Sequence, residues 1–251
     1  MSVSVIRWRI NFMTIKIPIY LIIFNQWSLP SAMLKECQRF DNSFPVIVDN
    51  ASTYEPAREW LKSCEAAGME VKHMSKNYGH KVMWSEEGRE ILRKYTQDDY
   101  FVLSDSDLDL SGIPGIDLME LLVSGFNNYE KHIDCVGLGI RLDDLSEQNK
   151  MLIPNWDQMK SYSYRDTYDG KFGYGSVDTT FGVRKLSLGT ESPSFKSLVT
   201  RNPYVCRHLP WYFTNVNPPP EDFKHYLKTA DRNVSTFAKR YFELYGEFAF
   251  I

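Results

Sequence analysis

Apolar runs alternate with amphipathic stretches along the first half of the chain. The runs have the length of strands, and the stretches between them repeat their apolar positions at helical spacing. In chain order the predicted strands and helices are IPIYLIIF, LPSAMLKECQRF, PVIVDN, EPAREWLKSCEAAG, EVKHM, SEEGREILRKY and DYFVLSDSD. Apolar strands separated by helices are typical of a parallel sheet with helices on both faces. The pattern therefore predicts an α/β fold with a mostly parallel central sheet.

The second half of the chain is less regular and has longer loops. The pattern predicts a helix, a strand with two glycines, a helical stretch, a glycine-rich loop that leads into a strand, and one long final helix. These are IDLMELLVSGFNNY, DCVGLGIRL, NWDQMKSYSYR, GYGSVDTTFGVRK and FKHYLKTADRNVSTFAKRYFELYG. Long loops on a regular scaffold are where binding specificity usually resides.

Composition and charge argue against two classes of protein. The net charge of the 251 residues is -3, so broad electrostatic binding to nucleic acid is not expected. The apolar run Ile17–Phe24 is far shorter than a membrane span and lacks a small-residue cleavage site. The four cysteines show no metal-type spacing, which favours free thiols in a reducing compartment. We therefore expect a cytoplasmic protein without a membrane span.

Three carboxylates stand at alternate positions directly after the fourth predicted strand. The period of two along a strand places Asp105 and Asp107 on one face, with Asp109 following. Ligands of open α/β sheets bind at the carboxyl ends of the strands. Like charges this close need a cation, and hard oxygen ligands suit Mg²⁺ or Mn²⁺, with phosphate oxygens completing the coordination. The spacing therefore predicts a divalent metal site.

Other interpretations of this acidic cluster compete with the metal site. An EF-hand loop needs glycine at its sixth position and glutamate at its twelfth, where this chain has Leu110 and Ile116. A haloacid dehalogenase-type phosphatase also carries Asp-x-Asp, but usually after its first strand and without an acid at the position of Asp109. A solvated acidic turn, helped by Ser104 and Gly112, is the simplest alternative and stays open.

Two further motifs lie at the ends of predicted strands. PVIVDNAST ends a strand in Asp49 and Asn50, which form either an Asx turn before a helix or a carboxylate that meets a ribose or base. KNYGHK, residues 76–81, places a glycine loop after the third strand. Each motif alone is weak, but their order and spacing are specific.

Taken in order, VIVDNAST, SKNYG and FVLSDSD resemble the nucleotide-binding half of GT-A-fold glycosyltransferases, close to family 2, in a subgroup from bacteria and large algal DNA viruses. VDTTFGVRK and CRHLPWYF are similar to the same subgroup, so the resemblance covers about Ile17–Trp211. It implies a GT-A-type, Rossmann-like α/β fold with a smaller acceptor-side region. Residues 1–16 are then an N-terminal arm, 17–112 the nucleotide-sugar-binding half, and 113–251 the acceptor and catalytic half of the same domain.

The resemblance also assigns the nucleotide to single residues. Phe24 and Asn25, in the loop after the first strand, hold the base, together with Gln26. Asp49 matches the carboxylate that contacts uracil or ribose, and Asn77 lies where a loop passes the nucleotide. The implied donor is a UDP-sugar.

The same resemblance implies how the metal and the diphosphate are held. Asp105 and Asp107 match the Asp-x-Asp pair that holds Mn²⁺ or Mg²⁺ against the diphosphate. His208 matches a late third metal ligand, and a packed core histidine is its simpler interpretation. Arg207 is expected to pair with the diphosphate. Asp105 and Arg207 therefore both belong to the predicted donor site.

The catalytic base is the least determined part of the site. Asp178, after the glycine-rich loop, is the first candidate, and Asp143 and Asp144 at a strand end are the second. Each of these acids is equally explained as a helix cap or turn residue. No clean match to the family's late acidic pair exists, so the base stays open, although the resemblance favours inversion.

The expected function is that of a metal-dependent hexosyltransferase. It moves a sugar from a UDP-sugar, with UDP-glucose as the first guess, to a hydroxyl of a glycan or protein-linked glycan. One alternative is a magnesium-dependent phosphatase with Asp105 as nucleophile, Asp107 as acid, and Asp143 and Asp144 as downstream metal ligands. The other is a nucleotide-sugar-binding protein without catalysis.

Overall fold

The structure is a computed structural model that describes residues 16–129, 133–153, 156, 170–175, 177, 181–188, 197–214, 217–231 and 235–246. Its strands are Ile17–Ile23 (β1), Ser43–Asp49 (β2), Glu70–His73 (β3), Tyr100–Asp105 (β4), Leu108–Asp109 (β5), Cys135–Gly137 (β6), Gly139–Ile140 (β7), Phe172–Tyr174 (β8), Gly182–Lys185 (β9), Ser197–Thr200 (β10) and Val205–His208 (β11). Its α-helices are Ser28–Cys37 (α1), Glu55–Ala66 (α2), Glu86–Tyr95 (α3), Leu118–Asn128 (α4), Glu147–Lys150 (α5), Glu221–Thr229 (α6) and Thr236–Tyr245 (α7). Short 3-10 helices span Gly79–Trp84, Leu186–Leu188 and Leu209–Tyr212.

A central sheet of eight described strands has the order β3-β2-β1-β4-β9-β6-β10-β8. Strands β3, β2, β1 and β4 pair in parallel, as do β6 and β10. Among the strands the structure describes in this sheet, β9 and β8 alone run antiparallel to their neighbours. The predicted α/β architecture with a mostly parallel central sheet is confirmed.

The two faces of the sheet bury different residues of the same strands. On β1, Ile19 and Leu21 face a cluster that contains residues of α1, α2 and α4. Tyr20, between them, faces a second cluster with Leu92 of α3 and Phe101 of β4. Alternation with a period of two therefore sends a fully apolar strand into two cores, which is why IPIYLIIF contains no polar face.

A second, three-stranded sheet has the order β5-β11-β7 and lies beyond the end of β4. Strand β11 pairs antiparallel with β5, so that Arg207 lies opposite Asp109 and His208 opposite Leu108. It pairs in parallel with β7 on its other side. This small sheet carries the late residues of the chain back to the acidic cluster.

The glycine-containing segment DCVGLGIRL does not form one strand, and that prediction is wrong. It divides into β6 of the central sheet and β7 of the small sheet. The break falls at Leu138, whose amide donates to the carbonyl of Phe181 at 2.9 Å. A Cβ at Gly139 would collide with the carbonyl oxygen of Thr200, so the close approach of the two backbones requires glycine there.

The final segment is two helices, α6 and α7, and the prediction of one long helix is wrong. The backbone of Ala230 is extended directly after α6, with φ -66° and ψ 137°. A new helix starts at Thr236, where the Ser235 hydroxyl accepts from the amide of Ala238 at 3.2 Å. Serine at such a cap stabilises a new helix start. The predicted helical stretch NWDQMKSYSYR lies outside the described residues, except for Trp156.

All four cysteines are buried free thiols, as the sequence predicts. Burial raises the pKa of Cys206 to about 12 and that of Cys135 to about 11, so these thiols stay protonated and unreactive. Across the described residues, every helix is too short or too polar to cross a membrane.

Candidate functional site

The predicted site residues of the first half meet at the carboxyl edge of the central sheet. Ile23 of β1 pairs with Asp49 of β2, and Ile22 pairs with Asp105 of β4. Asp49 and Asp105 therefore flank β1 at nearly the same level, two strand spacings or about 9.5 Å apart. The strand order reverses here, because β2 and β3 lie on one side of β1 and β4 on the other. Open α/β sheets bind ligands at such a point.

On the β4 side, Asp107 is a largely buried carboxylate that lacks a hydrogen-bond partner on one oxygen. Its Oδ1 has no partner among the described residues. His208 Nε2 lies 3.5 Å from that oxygen, close enough for charge attraction but without hydrogen-bond geometry. Burial raises the pKa of Asp107, and the nearby His208 opposes this only in part. A buried carboxylate of this kind is stabilised by a bound cation.

The ring of His208 is fixed by the small sheet and by aromatic neighbours. Pairing of β11 with β5 brings it to the acidic cluster. The ring is 6% exposed and packs edge-on against Trp211, with 4.8 Å between ring centroids and an interplanar angle of 69°. Phe237 of α7 lies on another side at 6.5 Å. The structure therefore brings His208 to Asp107, although metal binding by His208 stays a prediction.

The residues at this point fit a divalent ion in part. One carboxylate and one imidazole converge, and Asp105 ends β4 two residues before Asp107. Within the described residues, no group of three histidine, cysteine or acidic side chains forms a complete metal site. Carboxylate with imidazole suits Mn²⁺ better than Mg²⁺, which prefers oxygen ligands throughout. The side chains therefore fit an ion that takes its remaining ligands from phosphate oxygens and water.

On the β2 side, Asp49 is buried but fully bonded. Its Oδ1 accepts from the amide of Ser52 at 2.9 Å, and its Oδ2 lies 2.9 Å from Nδ1 of His73. The other ring nitrogen of His73 lies 3.1 Å from Glu65 Oε1. Partial burial lowers the pKa of His73, but the hydrogen bonds to Asp49 and Glu65 outweigh it, and the net pKa is raised. His73 therefore holds the Asp49 carboxylate in one orientation.

Asn25 joins the loop after β1 to the loop after β2. Its Oδ1 accepts from the amides of Thr53 at 2.7 Å and Tyr54 at 3.0 Å. Its own amide donates to the hydroxyl of Ser52 at 2.9 Å. Asn25 has φ 55° and Ala51 has φ 63°, a left-handed conformation that costs a non-glycine residue roughly 1–3 kcal/mol. Two of the four described non-glycine residues with positive φ therefore lie in the loops that follow β1 and β2, and the other two, Asn42 and Asp99, precede β2 and β4.

Asn50 and Asn77 hold the loop after β3 against the end of β2. Asn50 Nδ2 donates to Asn77 Oδ1 at 2.9 Å, and Asn50 Oδ1 accepts from the amide of Tyr78 at 2.9 Å. Asn77 Oδ1 also accepts from the amide of Gly79 at 2.7 Å. The side chain of Asn77 thus organises its own loop, and the predicted nucleotide contact stays a prediction.

A cleft of about 570 Å³ opens beside Asp49. Its walls come from β2, the loop after it, α2 and β3, and they carry charges of both signs. The lining residues are Asp49, Ala51, Ser52, Thr53, Arg58, Lys62, Glu65, His73 and Met74. Phe24 follows β1 at the same edge and is partly buried, but it does not line this cleft.

Arg207 is bonded to two carboxylates of the chain itself. Its Nε donates to Asp144 Oδ2 at 2.7 Å, and its Nη1 to Asp109 Oδ2 at 3.2 Å. Tyr212 donates its hydroxyl to the other oxygen of Asp144 at 2.6 Å. Burial raises the pKa of Asp144, but the bonds from Tyr212 and Arg207 outweigh it and leave the pKa lowered. A carboxylate with a lowered pKa is a weak general base.

Asp143, another base candidate, lies at the surface beside this network. Asp143 has an 81% exposed side chain, with Arg141 Nε at 3.9 Å. Asp178 lies outside the described residues.

Sequence reasoning missed His73, which orients the Asp49 carboxylate. His73 has a signal, because it ends the third parallel strand and therefore stands at the same edge as Asp49.

No protein-family model and no curated protein sequence matches this chain. Among solved structures it is similar to S. aureus TarS 1-349, with a TM-score of 0.48 and 12% identity over 91% of this chain and 72% of that one. TarS 1-349 in complex with UDP-GlcNAc gives a TM-score of 0.47 at 12% identity, covering 91% of this chain and 73% of that one. Glucosyl-3-phosphoglycerate synthase from Mycobacterium tuberculosis, in complex with Mn²⁺, UDP-glucose and phosphoglyceric acid, gives 0.43 at 15% identity over 73% of this chain and 62% of that one. These ligands belong to those proteins, and what this chain binds has to be argued from its own residues.

Proposed function

We propose that the chain is a metal-dependent glycosyltransferase of GT-A type that transfers a sugar from a UDP-sugar to a hydroxyl acceptor. The first donor to test is UDP-glucose, and the acceptor class is a glycan or protein-linked glycan. The proposal rests on the residues at the edge where β2, β1 and β4 end.

One observation carries the proposal. The buried Oδ1 of Asp107 has no hydrogen-bond partner in the described part of the chain, and His208 stands 3.5 Å away. An unsatisfied buried oxygen costs roughly 1–3 kcal/mol, so its place at a ligand-binding edge favours a cation there. Asp105, Asp107 and His208 would hold Mn²⁺ or Mg²⁺.

The positions of Asp107 and His208 suit the binding of a divalent ion. A divalent ion bound there neutralises charge on the departing nucleoside diphosphate. Asp107 lies between β4 and β5, and His208 ends β11, so the pairing of β11 with β5 sets the distance between them. Packing against Trp211 holds the imidazole in place before any ligand arrives. Binding therefore requires little rearrangement of these two side chains.

The nucleoside is proposed to bind where the cleft beside Asp49 meets the loop after β1, which Asn25 joins to Ser52 and Thr53 of the cleft lining. Each oxygen of that carboxylate already accepts or shares one hydrogen bond and retains a further lone pair. Such an acceptor suits an N–H of uracil or a hydroxyl of ribose. Its distance of about two strand spacings from Asp105 leaves room for the ribose and diphosphate between base and metal. Asp49 is therefore assigned to the nucleoside and Asp105 to the phosphate end.

Proton removal from the acceptor hydroxyl is proposed for Asp178, with inversion at the sugar carbon. Asp144 is disfavoured because Arg207 and Tyr212 occupy both its oxygens and lower its pKa. Asp178→Asn is expected to abolish transfer while UDP affinity stays within about threefold of the wild type. Full turnover in this variant would remove Asp178 from the mechanism and return attention to Asp143.

A panel of nucleotide sugars tests the proposed function. The chain is incubated with UDP-, GDP- and ADP-sugars, each with Mn²⁺ or with EDTA, and thermal stabilisation and nucleotide release are read. UDP-sugars with Mn²⁺ are expected to raise the melting temperature and to release UDP slowly even to water. Equal behaviour with EDTA would contradict the metal site. Release of phosphate from simple monoesters, instead of UDP, would favour the phosphatase.

A further inference from the structure

The start of helix α1 is held by a residue from the other end of the chain. Asp222, in the first turn of α6, is 3% exposed. Its Oδ2 accepts from the backbone amides of Trp27 and Ser28, both at 2.7 Å, and its Oδ1 accepts from the Ser28 hydroxyl at 2.6 Å. Residues 27 and 28 lie 194 to 195 positions before it.

Asp222 does the work of a helix cap that the local sequence does not supply. The first amides of a helix have no partner within the helix, and a side-chain oxygen nearby in sequence usually accepts from them. No such side-chain cap bond is made at Trp27, the residue before α1. A carboxylate at this position also interacts favourably with the positive end of the helix dipole. The three hydrogen bonds to Asp222 therefore hold the backbone at the start of α1 in one conformation.

The segment fixed in this way is the loop that leaves β1 at the switch point. Residues 24–27 connect the last residue of β1 to α1. Asn25 ties one side of this loop to the amides of Thr53 and Tyr54, and Asp222 ties the other side. Between them, Gln26 is 8% exposed, and its Oε1 has no hydrogen-bond partner in the described part of the chain. A buried acceptor without a partner in a loop held from both sides indicates a place prepared for a donor group of a ligand.

Helix α6 also contacts the start of α2 and the cap of α7. His225 stacks on Tyr54 at the start of α2, with ring centroids 4.0 Å apart and an interplanar angle of 16°. Tyr226 bonds through its hydroxyl with Ser235 of the α7 cap at 3.1 Å. Helix α6 thus contacts the loop after β1, the start of α2 and the cap of α7.

We infer that Asp222 is a positioning residue of the donor site, which holds the loop 24–27 in the conformation that receives the nucleoside. The inference rests on the proposed function, since it assigns a ligand to that loop. It also gives α6 a role in ligand binding, in addition to its packing against the rest of the protein. Loss of the carboxylate leaves the loop to be ordered by the ligand itself, and this ordering cost lowers affinity.

The test compares Asp222→Ala with a control that damages the same helix elsewhere. Leu227, on α6, is fully buried in the apolar cluster that contains Phe213, Phe223 and Tyr241. Leu227→Ala is therefore expected to lower the melting temperature at least as much as Asp222→Ala. UDP affinity is measured by calorimetry with Mn²⁺ present, well below both melting temperatures. Hydrogen exchange at the amides of Trp27 and Ser28 is measured without ligand.

The expected results separate positioning from stability. Asp222→Ala is expected to weaken UDP by about tenfold or more and to speed exchange at Trp27 and Ser28. Leu227→Ala is expected to bind UDP within about threefold of the wild type. If Asp222→Ala does not fold, Ser28→Ala serves as a milder test, because it removes only one of the three hydrogen bonds. It is expected to weaken UDP in the same direction but by a smaller factor.

Two different failures are distinguishable. If the wild type itself does not bind UDP, the proposed function is wrong and the inference falls with it. If the wild type binds UDP but Asp222→Ala and Ser28→Ala bind it as tightly, the inference alone is wrong. Equal losses of affinity in Asp222→Ala and Leu227→Ala would also overturn it, because stability would then explain both.

Discussion

The carboxylates at the ends of β2 and β4 differ in whether their oxygens have hydrogen-bond partners. Asp49, at the end of β2, is 4% exposed and has a partner on each oxygen, Ser52 and His73. Asp107, just past β4, has an oxygen without a hydrogen-bond partner among the described residues. The two sit at one edge of one sheet, on either side of β1.

The difference shows which of the two depends on a ligand. Asp49 is stable as it stands, because a backbone amide and an imidazole take the place of water. The Oδ1 of Asp107 is buried with only a distant imidazole beside it, and burial raises the pKa of this carboxyl. A structural role explains Asp49 well and Asp107 badly. The comparison predicts that removing the Asp49 carboxylate destabilises the protein. Removing the Asp107 carboxylate is predicted to stabilise the protein when no cation is bound.

The largest effect is expected at Asp107. Asp107→Ala should weaken Mn²⁺-dependent UDP binding by more than about a hundredfold, equivalent to about 2.8 kcal/mol. It should also raise the stability of the ligand-free protein, because an unsatisfied buried oxygen costs roughly 1–3 kcal/mol. Calorimetry with UDP and Mn²⁺, and thermal melting without them, measure the two effects.

Asp109→Asn is the matched control for Asp107→Ala. Its carboxylate accepts from Ser111 and from Arg207, so it is already paired within the chain. UDP affinity with Mn²⁺ is expected to stay near that of the wild type. If Asp107→Ala retains metal-dependent binding while Asp109→Asn loses it, the metal site has been assigned to the wrong carboxylate.

The second effect is expected at Asp49. A hydrogen bond to a ligand contributes about 0.5–1.5 kcal/mol and more to a charged group, so Asp49→Ala should weaken UDP about tenfold or more. Affinity for Mn²⁺ alone should hardly change, since β1 separates Asp49 from the acidic cluster. Preference for UDP over GDP should also decrease.

Asp49→Asn separates the turn from the ligand contact. The amide keeps an oxygen for Ser52 but replaces the second acceptor by an NH₂ group. The melting temperature should therefore fall less than in Asp49→Ala, while UDP weakens nearly as much. UDP binding as tight as in the wild type in both variants would reduce Asp49 to a turn residue.

A smaller effect is expected at Arg207, which distinguishes an internal ion pair from a contact with diphosphate. Arg207→Lys disturbs the bonds to Asp109 and Asp144, which are partly exposed, and should cost only about 0.5–1 kcal/mol in the free energy of unfolding. Urea denaturation measures this change. A UDP affinity within about threefold of the wild type is expected from the internal pairing, and a tenfold loss would establish the diphosphate contact.

The smallest effect concerns pH and His73. Its pKa is raised above the usual 6.5 by its bonds to Asp49 and Glu65, which outweigh burial. The folded state therefore holds this proton more tightly than the unfolded state. The resulting stability is fully present below pH 6.5 and is lost as the pH rises through the raised pKa.

His73→Gln should remove that pH dependence. The difference in unfolding midpoint between wild type and variant, followed from about pH 5 to 8, is expected to shrink as the pH rises. The ring is 49% exposed, so the difference is small. A difference that grows with pH would mean that the neutral ring is the stabilising form.

The regular first half was predictable because local and global preferences agree there. The strands β1, β2 and β4 and the helices α1 to α3 match their predicted segments, and the Ser85 hydroxyl caps α3 by accepting from the amide of Gly88 at 3.1 Å. In the second half the same rules failed twice. A continuous apolar strand pattern was divided between two sheets at Leu138, and a continuous helical pattern was interrupted after Thr229.

The candidate site divides in the same way. Asp49, Asp105 and Asp107 were predictable, because parallel strands bring their carboxyl ends to one edge and polar residues there are conspicuous against apolar runs. Arg207 was noticed, but its pairing with Asp144 depends on a register that no pattern reveals. Asp222 carried no signal, because an acidic residue in the first turn of a helix is ordinary.

By itself the sequence determined the α/β class, the alternation of the first four strands with helices, and the acidic strand end, because these follow from periodicity and from residues close together in the chain. Tertiary structure alone decided which carboxylates are satisfied. Asp49 found Ser52 within its own turn, and Asp222 found Trp27 and Ser28 across the molecule. The Oδ1 of Asp107 was buried 3.5 Å from His208 without a hydrogen bond from the described residues. The free energy of a buried charge depends on where its partners lie in space, and that information is not local to any stretch of the chain.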